Sequence, residues 1–119
     1  MKTILCVDDD EHLLELVSFT LEGPEYRVLV ARNGAEALAL MELEDLDVLV
    51  LDWMMPGIAG IDVARRVAKP DEAPAIVMLT SMAQAKDIAE ARAAGVQHYL
   101  TKPFSPLELL ATVHEAAKP

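Results

Sequence analysis

A chain of 119 residues is the size of one ordinary domain and long enough for a single real core. Its make-up, 53% hydrophobic and 25% charged, excludes a disordered chain, and no apolar run approaches the roughly 20 residues that span a bilayer. The net charge of −10 opposes direct binding to nucleic acid or anionic lipid, which needs surplus Lys and Arg; carboxylates gathered in one place favour a divalent cation instead.

The opening residues, MKTILCVDDD, put one Lys before a short apolar run that ends in acids. That is not a signal peptide, so the cytoplasm is the expected location. Thr3 to Val7 reads as the first strand, with Cys6 inside it as a small buried hydrophobe. Leu13, Leu14, Leu16, Val17, Phe19 and Leu21 follow at helical spacing. The first helix therefore covers roughly residues 11 to 22, with Asp10 and Glu11 at its positive end and Gly23-Pro24 stopping it. Tyr26 to Ala31 is the second strand. Asn33-Gly34 turns the chain into a helix over Ala35 to Glu44.

The stretch LDVLVLDWMMPG, Leu46 to Gly57, holds the third strand. Its Val/Leu run reads as buried on both faces and ends at Asp52, before the Pro56-Gly57 turn. Gly60 to Ala68 is the third helix, with Ile61, Ala64 and Val67 on one face. Lys69 to Pro74 is a loop. Ala75 to Thr80 is the fourth strand, Lys86 to Ala94 a helix ended by Gly95, and His98 to Lys102 a shorter, more polar strand. Ser105-Pro106-Leu107-Glu108 starts the last helix, which runs to about Ala117. Ser105 is the N-cap, Pro106 takes the first helical position and Glu108 closes the capping box.

Alternation of strands and helices at this spacing predicts an α/β fold with a mostly parallel sheet covered on both faces. Residues 1–119 read as a single domain. Parallel strands put their carboxyl ends on one edge, where ligands bind in open α/β sheets. That edge should gather Asp8, Asp9, Asp52, Thr80 and Lys102. Like charges so close repel, and either raised pKa values or a bound cation relieves them. Mg²⁺ suits such a site, because it takes a few carboxylates and keeps waters that phosphate oxygens can replace. A carboxylate in this setting can attack phosphorus and form an aspartyl phosphate.

The chain resembles, end to end, the receiver domain of two-component response regulators. The matching pieces are ILCVDDD, LDWMMPGIAG, IVMLTS and HYLTKPF. The resemblance implies a flavodoxin-like fold with strand order 2-1-3-4-5. It implies that Asp52 accepts a phosphoryl group from a sensor histidine kinase or a histidine phosphotransfer protein. Asp9, Asp52 and the backbone carbonyl of Met54 would ligate Mg²⁺, with Asp8 helping through water. Thr80 and Tyr99 resemble the switch pair, which would alter the face formed by the fourth helix, fifth strand and fifth helix. Lys102 resembles the lysine of the phosphate site, and Lys102-Pro103 is expected to be cis. Output would pass to a downstream effector or a fused output domain.

The residues also carry plainer readings. Asp10 and Glu11 read as a solvated helix start. His12, His98 and His114 lack metal-ligand spacing. Met54, Met55, Met78 and Met82 read as packing, and Met54 and Met82 could also shield a phosphoryl group from water. The family's DNA-binding members often pair through a pattern resembling GADDYLxKPF and ELLAR. Here Gln97, His98 and Thr112 replace the two acids and the Arg, so that dimer is expected to be absent or weak. An aspartyl-nucleophile phosphatase of the haloacid dehalogenase type is a rival, since Asp8-Asp9-Asp10 contains DxD; His12 stands where Thr or Val is expected. A second rival is a receiver that binds partners without phosphorylation, against which the complete set of Asp8, Asp9, Asp52, Thr80 and Lys102 argues; a third is a regulatory fragment of a larger transcription factor or hybrid kinase.

Overall fold

The computed structural model describes residues 1–67 and 74–118. The elements run β1 (Lys2–Val7), α1 (Glu11–Leu21), β2 (Tyr26–Ala31), α2 (Gly34–Leu43), β3 (Val48–Asp52), α3 (Gly60–Val67), β4 (Ala75–Thr80), α4 (Ala85–Ala93), β5 (His98–Thr101) and α5 (Pro106–Ala116). All strand pairings are parallel, in the order β2-β1-β3-β4-β5. The expected end of the third helix at Ala68, and residues 69–73 of the expected loop, lie outside the described residues.

The period-2 alternation of the inner strands divides the core. Leu5, Val7, Leu49, Leu51, Ile76 and Met78 face α2, α3 and α4 through Ala37, Ile61, Val63, Ala64 and Ala91. Ile4, Cys6, Val48, Val50, Val77 and Leu79 face the other way, against Leu14, Val17 and Leu21 of α1 and Leu109 and Val113 of α5. Apolar burial on both faces explains why β1, β3 and β4 are near-continuous hydrophobic runs.

The strand register sets the functional rim. Val7 lies opposite Leu51, so Asp8 and Asp52 follow side by side. Asp52 pairs with Leu79, and Thr80 with Thr101, directly before Lys102.

Most helix boundaries follow their caps. Asp10 accepts from the amides of His12 and Leu13, and Ser105 and Glu108 form the expected capping box. Gly95, at φ 100°, ends α4 as expected. Gly23 does not act this way: α1 ends because Glu22 turns extended, and the Gly23 amide bonds the Tyr26 carbonyl at 3.3 Å in the turn into β2. The fourth helix begins at Ala85, one residue early, because the Asp87 carboxylate accepts the Gln84 amide at 3.2 Å and so fixes the first turn. Lys102 falls just beyond β5, and its peptide bond to Pro103 is cis.

Candidate functional site

The carboxyl rim collects most of the polar side chains that the core buries: Asp8 is 1% exposed, Asp52 4% and Thr80 1%. Asp8, Asp9 and Asp52 each offer an oxygen within 4.8 Å of the others. Lys102 reaches over them, with Nζ 3.1 Å from Asp52 Oδ1 and 3.4 Å from Asp8 Oδ2. The β1–α1 turn holds Asp8 in place, because its Oδ1 accepts from the Asp10 amide at 2.9 Å. Asp10 itself only caps α1, as the solvated-start reading expected. Asp9 is the exposed acid of the group, at the open side of the site.

Burial sets the electrostatics. Desolvation pushes Asp8 up to about 6, against the opposing pull of the Asp10 amide and Lys102, and with further upward pressure from Asp52. Asp52 is also raised by burial, with Lys102 and the Trp53 amide working against the rise and Asp9 adding to it. Burial pulls Lys102 down, but its hydrogen bond to Asp52 and the charges of Asp52 and Asp8 outweigh that, so its ammonium is held above the ordinary value. Cys6, on the strand beneath, is driven upward by burial and by both acids, which makes it an inert thiol.

These features fit a small hard cation. The three donors are carboxylate oxygens with no thiolate or imidazole among them, the set that Mg²⁺ takes in preference to softer metals. A divalent charge there would lower the pKa values that burial has raised.

The rim next to Asp52 also carries a short chain of hydrogen bonds. The Met82 amide donates to Thr80 Oγ1 at 3.1 Å, and the Tyr99 hydroxyl donates to the Met82 carbonyl. Met82 thus links Thr80 to Tyr99. The Tyr99 ring is half-buried and stands edge-on to Trp53, centroids 6.4 Å apart at 79°. Trp53, beside Asp52 in the chain, is buried.

Every expected site residue lies at or beside this rim, but Met54 overturns one expectation. Its side chain is 65% exposed, so it does not pack, whereas Met55 and Met78 do. The turn that ends in Pro56-Gly57, with Gly57 at φ 79°, points the Met54 side chain outward. His12 and His114 are exposed, and His98 sits half-buried on β5. Sequence reasoning missed Gly60. Its amide donates to the Trp53 carbonyl at 2.9 Å, and a Cβ placed there would lie 2.0 Å from the Asp52 carbonyl oxygen. A glycine at the first position of a helix was the only signal in the sequence.

The sequence pattern described as response regulator receiver domain matches residues 4–114. The chain belongs to that family. Among curated relatives, this receiver domain is 41% identical over 113 residues to the phosphate regulon transcriptional regulatory protein PhoB of Pseudomonas aeruginosa, covering 92% of this chain and 49% of that one. It is 39% identical over 112 residues to the alkaline phosphatase synthesis transcriptional regulatory protein PhoP of Bacillus subtilis, covering 94% of this chain and 47% of that one. The chain thus spans about half the length of the curated relatives it matches. Among solved structures, the Vibrio cholerae chemotaxis protein CheY4 superposes with a TM-score of 0.91 at 33% identity, covering 98% of each chain. The match over most of the chain supports the receiver reading over the dehalogenase-type one.

Proposed function

We propose that Asp52 is the phosphoacceptor of this receiver domain and that Mg²⁺ is required for the transfer. One observation carries the reading: three separated acids and one lysine converge at the sheet rim, with Lys102 Nζ 3.1 Å from Asp52 Oδ1. Asp9, Asp52 and the Met54 carbonyl would hold the ion, and Asp8 would act through a water. When bound, the ion neutralises charge on the transferring phosphoryl group. An Asp52 oxygen attacks phosphorus. The bond from phosphorus to the donor breaks, and its electron pair leaves with the donor. The Lys102 ammonium supplies charge to one phosphoryl oxygen, and the Thr80 hydroxyl donates a hydrogen bond to another. Pulling Thr80 inward disturbs the Met82 backbone and so the Tyr99 contact, which hands the signal to the α4–β5–α5 face. Hydrolysis at the same residue resets the switch, so the domain catalyses its own phosphorylation and dephosphorylation without turnover of a separate substrate.

The donor is a sensor histidine kinase or a histidine phosphotransfer protein in the cytoplasm. The output is a downstream effector or, as in the transcriptional regulators it resembles, a fused domain. With a net charge of −10, this chain does not itself bind nucleic acid. It is a monomer or a weak dimer, given Gln97, His98 and Thr112 on the pairing face. A tight dimer through that face in sedimentation, with and without beryllofluoride, would contradict this.

Intact-mass measurement after acetyl phosphate and Mg²⁺ should show one added phosphoryl group, and Trp53 fluorescence should change first with Mg²⁺ and again with the donor. Asp52→Asn should keep the fold and lose the second change. A phosphoryl group mapped to another residue would overturn the reading.

A further inference from the structure

We infer that Gly60 is a positioning residue for the phosphoacceptor: its missing side chain lets α3 close on the Asp52 peptide and so fixes where the Asp52 carboxylate stands. The inference rests on the reading of Asp52 as metal ligand and acceptor.

Two rigid bodies meet at this glycine. One is the end of β3, which lies between β1 and β4 with all its residues buried. Its last turn is pinned by the Trp53 amide, which donates to the Leu79 carbonyl at 3.1 Å. The other is α3, anchored in the core by Ile61, Val63 and Ala64. They touch where the Gly60 amide donates to the Trp53 carbonyl at 2.9 Å. A Cβ on Gly60 would stand 2.0 Å from the Asp52 carbonyl oxygen, 2.9 Å from the Asp52 carbonyl carbon and 2.9 Å from the Trp53 Cα. These are backbone atoms, which cannot swing aside as a side chain would.

Real Cβ atoms essentially never come closer than 3.0 Å, so a methyl group must separate α3 from the strand end by about 1 Å. Neither body can move alone. The strand end carries the Asp52 carboxylate, and the segment between strand and helix carries the Met54 carbonyl. Mg²⁺ accepts only near-ideal octahedral distances, and a shift of about 1 Å in a reacting group can cost about 100-fold. The effect on the site should therefore exceed the effect on the fold.

Gly34 supplies the control. A Cβ there would also be crowded, at 2.9 Å from Ile58 Cβ and 3.0 Å from Val63 Cγ2, but these are side-chain atoms and none belongs to the Asp52 peptide. Gly34→Ala should lower thermal stability and leave the site intact.

The test compares wild type, Gly60→Ala and Gly34→Ala by thermal unfolding, by Mg²⁺ titration of Trp53 fluorescence and by the initial rate of phosphoryl incorporation from acetyl phosphate at saturating Mg²⁺. Gly60→Ala should lose at least tenfold in Mg²⁺ affinity and in rate, and Gly34→Ala should lose less than twofold in either. If Gly60→Ala unfolds in plain buffer, the titration is repeated in trimethylamine N-oxide, which favours the compact state. A folded Gly60→Ala with wild-type affinity and rate would overturn the inference. So would a variant that stays unfolded even in the osmolyte, because Gly60 would then serve folding alone. If wild type itself neither binds Mg²⁺ nor takes the phosphoryl group at Asp52, the parent reading fails instead, whatever the variants do.

Discussion

At opposite ends of β3 stand two aspartates with opposite fates. Asp47, just before the strand, accepts the Thr3 amide on its Oδ2 at 2.7 Å and so ties β1 to β3. At the same amino edge, Gln97 Oε1 accepts the Ile76 amide at 2.8 Å and ties the approach to β5 onto β4. There the polar side chains satisfy backbone donors, and the edge is sealed. At the carboxyl edge Asp52 faces Asp8 and Asp9 instead, with Lys102 set between the charges. The same residue type closes the sheet at one end and gathers charge at the other. Two acids within 4.8 Å repel by about 3 kcal/mol at an effective dielectric of about 20, and Lys102, closer to Asp8 and Asp52 than that, offsets the repulsion between them. Stability is spread through the molecule, while function sits where local comfort is given up.

The largest effect should come from removing the lysine at the strained edge. Lys102→Met leaves Asp8 and Asp52 facing each other without that partner. Phosphoryl incorporation from acetyl phosphate should fall by about 100-fold or more, since a fixed charge on the transferring group is lost. The metal-free variant should also unfold at lower urea than wild type at pH 7, and Mg²⁺ should recover part of the loss. Equal rates in variant and wild type would mean that the lysine is only a surface charge resting near the acids.

Next in size is the pH dependence of the metal-free protein. Asp8 has a folded pKa of about 6 against an ordinary value of 3.8. As pH rises through that window, the unfolded chain gives up its proton first and the folded chain holds on. The folded state then binds more protons, so stability falls with rising pH. The contribution is fully present below 3.8 and gone above about 6. Asp8→Asn should flatten this part of a urea-unfolding pH series and raise the midpoint most at pH 7, while weakening Mg²⁺ binding. A wild-type midpoint that rises from pH 4 to pH 7 without metal, with the Asn variant following it, would show that the carboxyl edge is not strained.

The two edges also differ in how far the sequence announced them. The carboxyl edge was legible because its signals are local: a buried Val/Leu run must end somewhere, and Asp52 stands where it ends. The alternation of elements then put Asp8, Thr80 and Lys102 on the same rim. The cap at Ser105 was readable for the same reason, since its partner Glu108 is within one turn. The amino edge was illegible because its partners are far apart in sequence, 44 residues for Asp47 with Thr3 and 21 for Gln97 with Ile76. The outward Met54 and the crowded Gly60 were hidden too. A turn that includes a left-handed glycine sets the one, and the docking of α3 on β3 sets the other; neither has a period. Asp8 and Asp9 were readable as a pair, but which one the sheet would bury depends on how the chain leaves β1.

The smallest effect should sharpen the contrast most. Asp47→Ala removes the acceptor of the half-buried Thr3 amide, and such an unpaired donor costs about 1–3 kcal/mol. Gln97→Ala should cost a similar amount at the Ile76 amide. Both variants should unfold at lower urea with an unchanged slope. Mg²⁺ affinity and the rate of phosphoryl incorporation should stay within twofold of wild type, because β3 stands between the altered edge and Asp52 and its register is also held by β1 and β4. The two losses should add in the double variant, since the ties lie on different strand pairs. If either variant instead weakens Mg²⁺ binding tenfold while costing less than about 1 kcal/mol, the amino edge communicates with the site through β3. The division between a sealed edge and a strained one would then have to be abandoned.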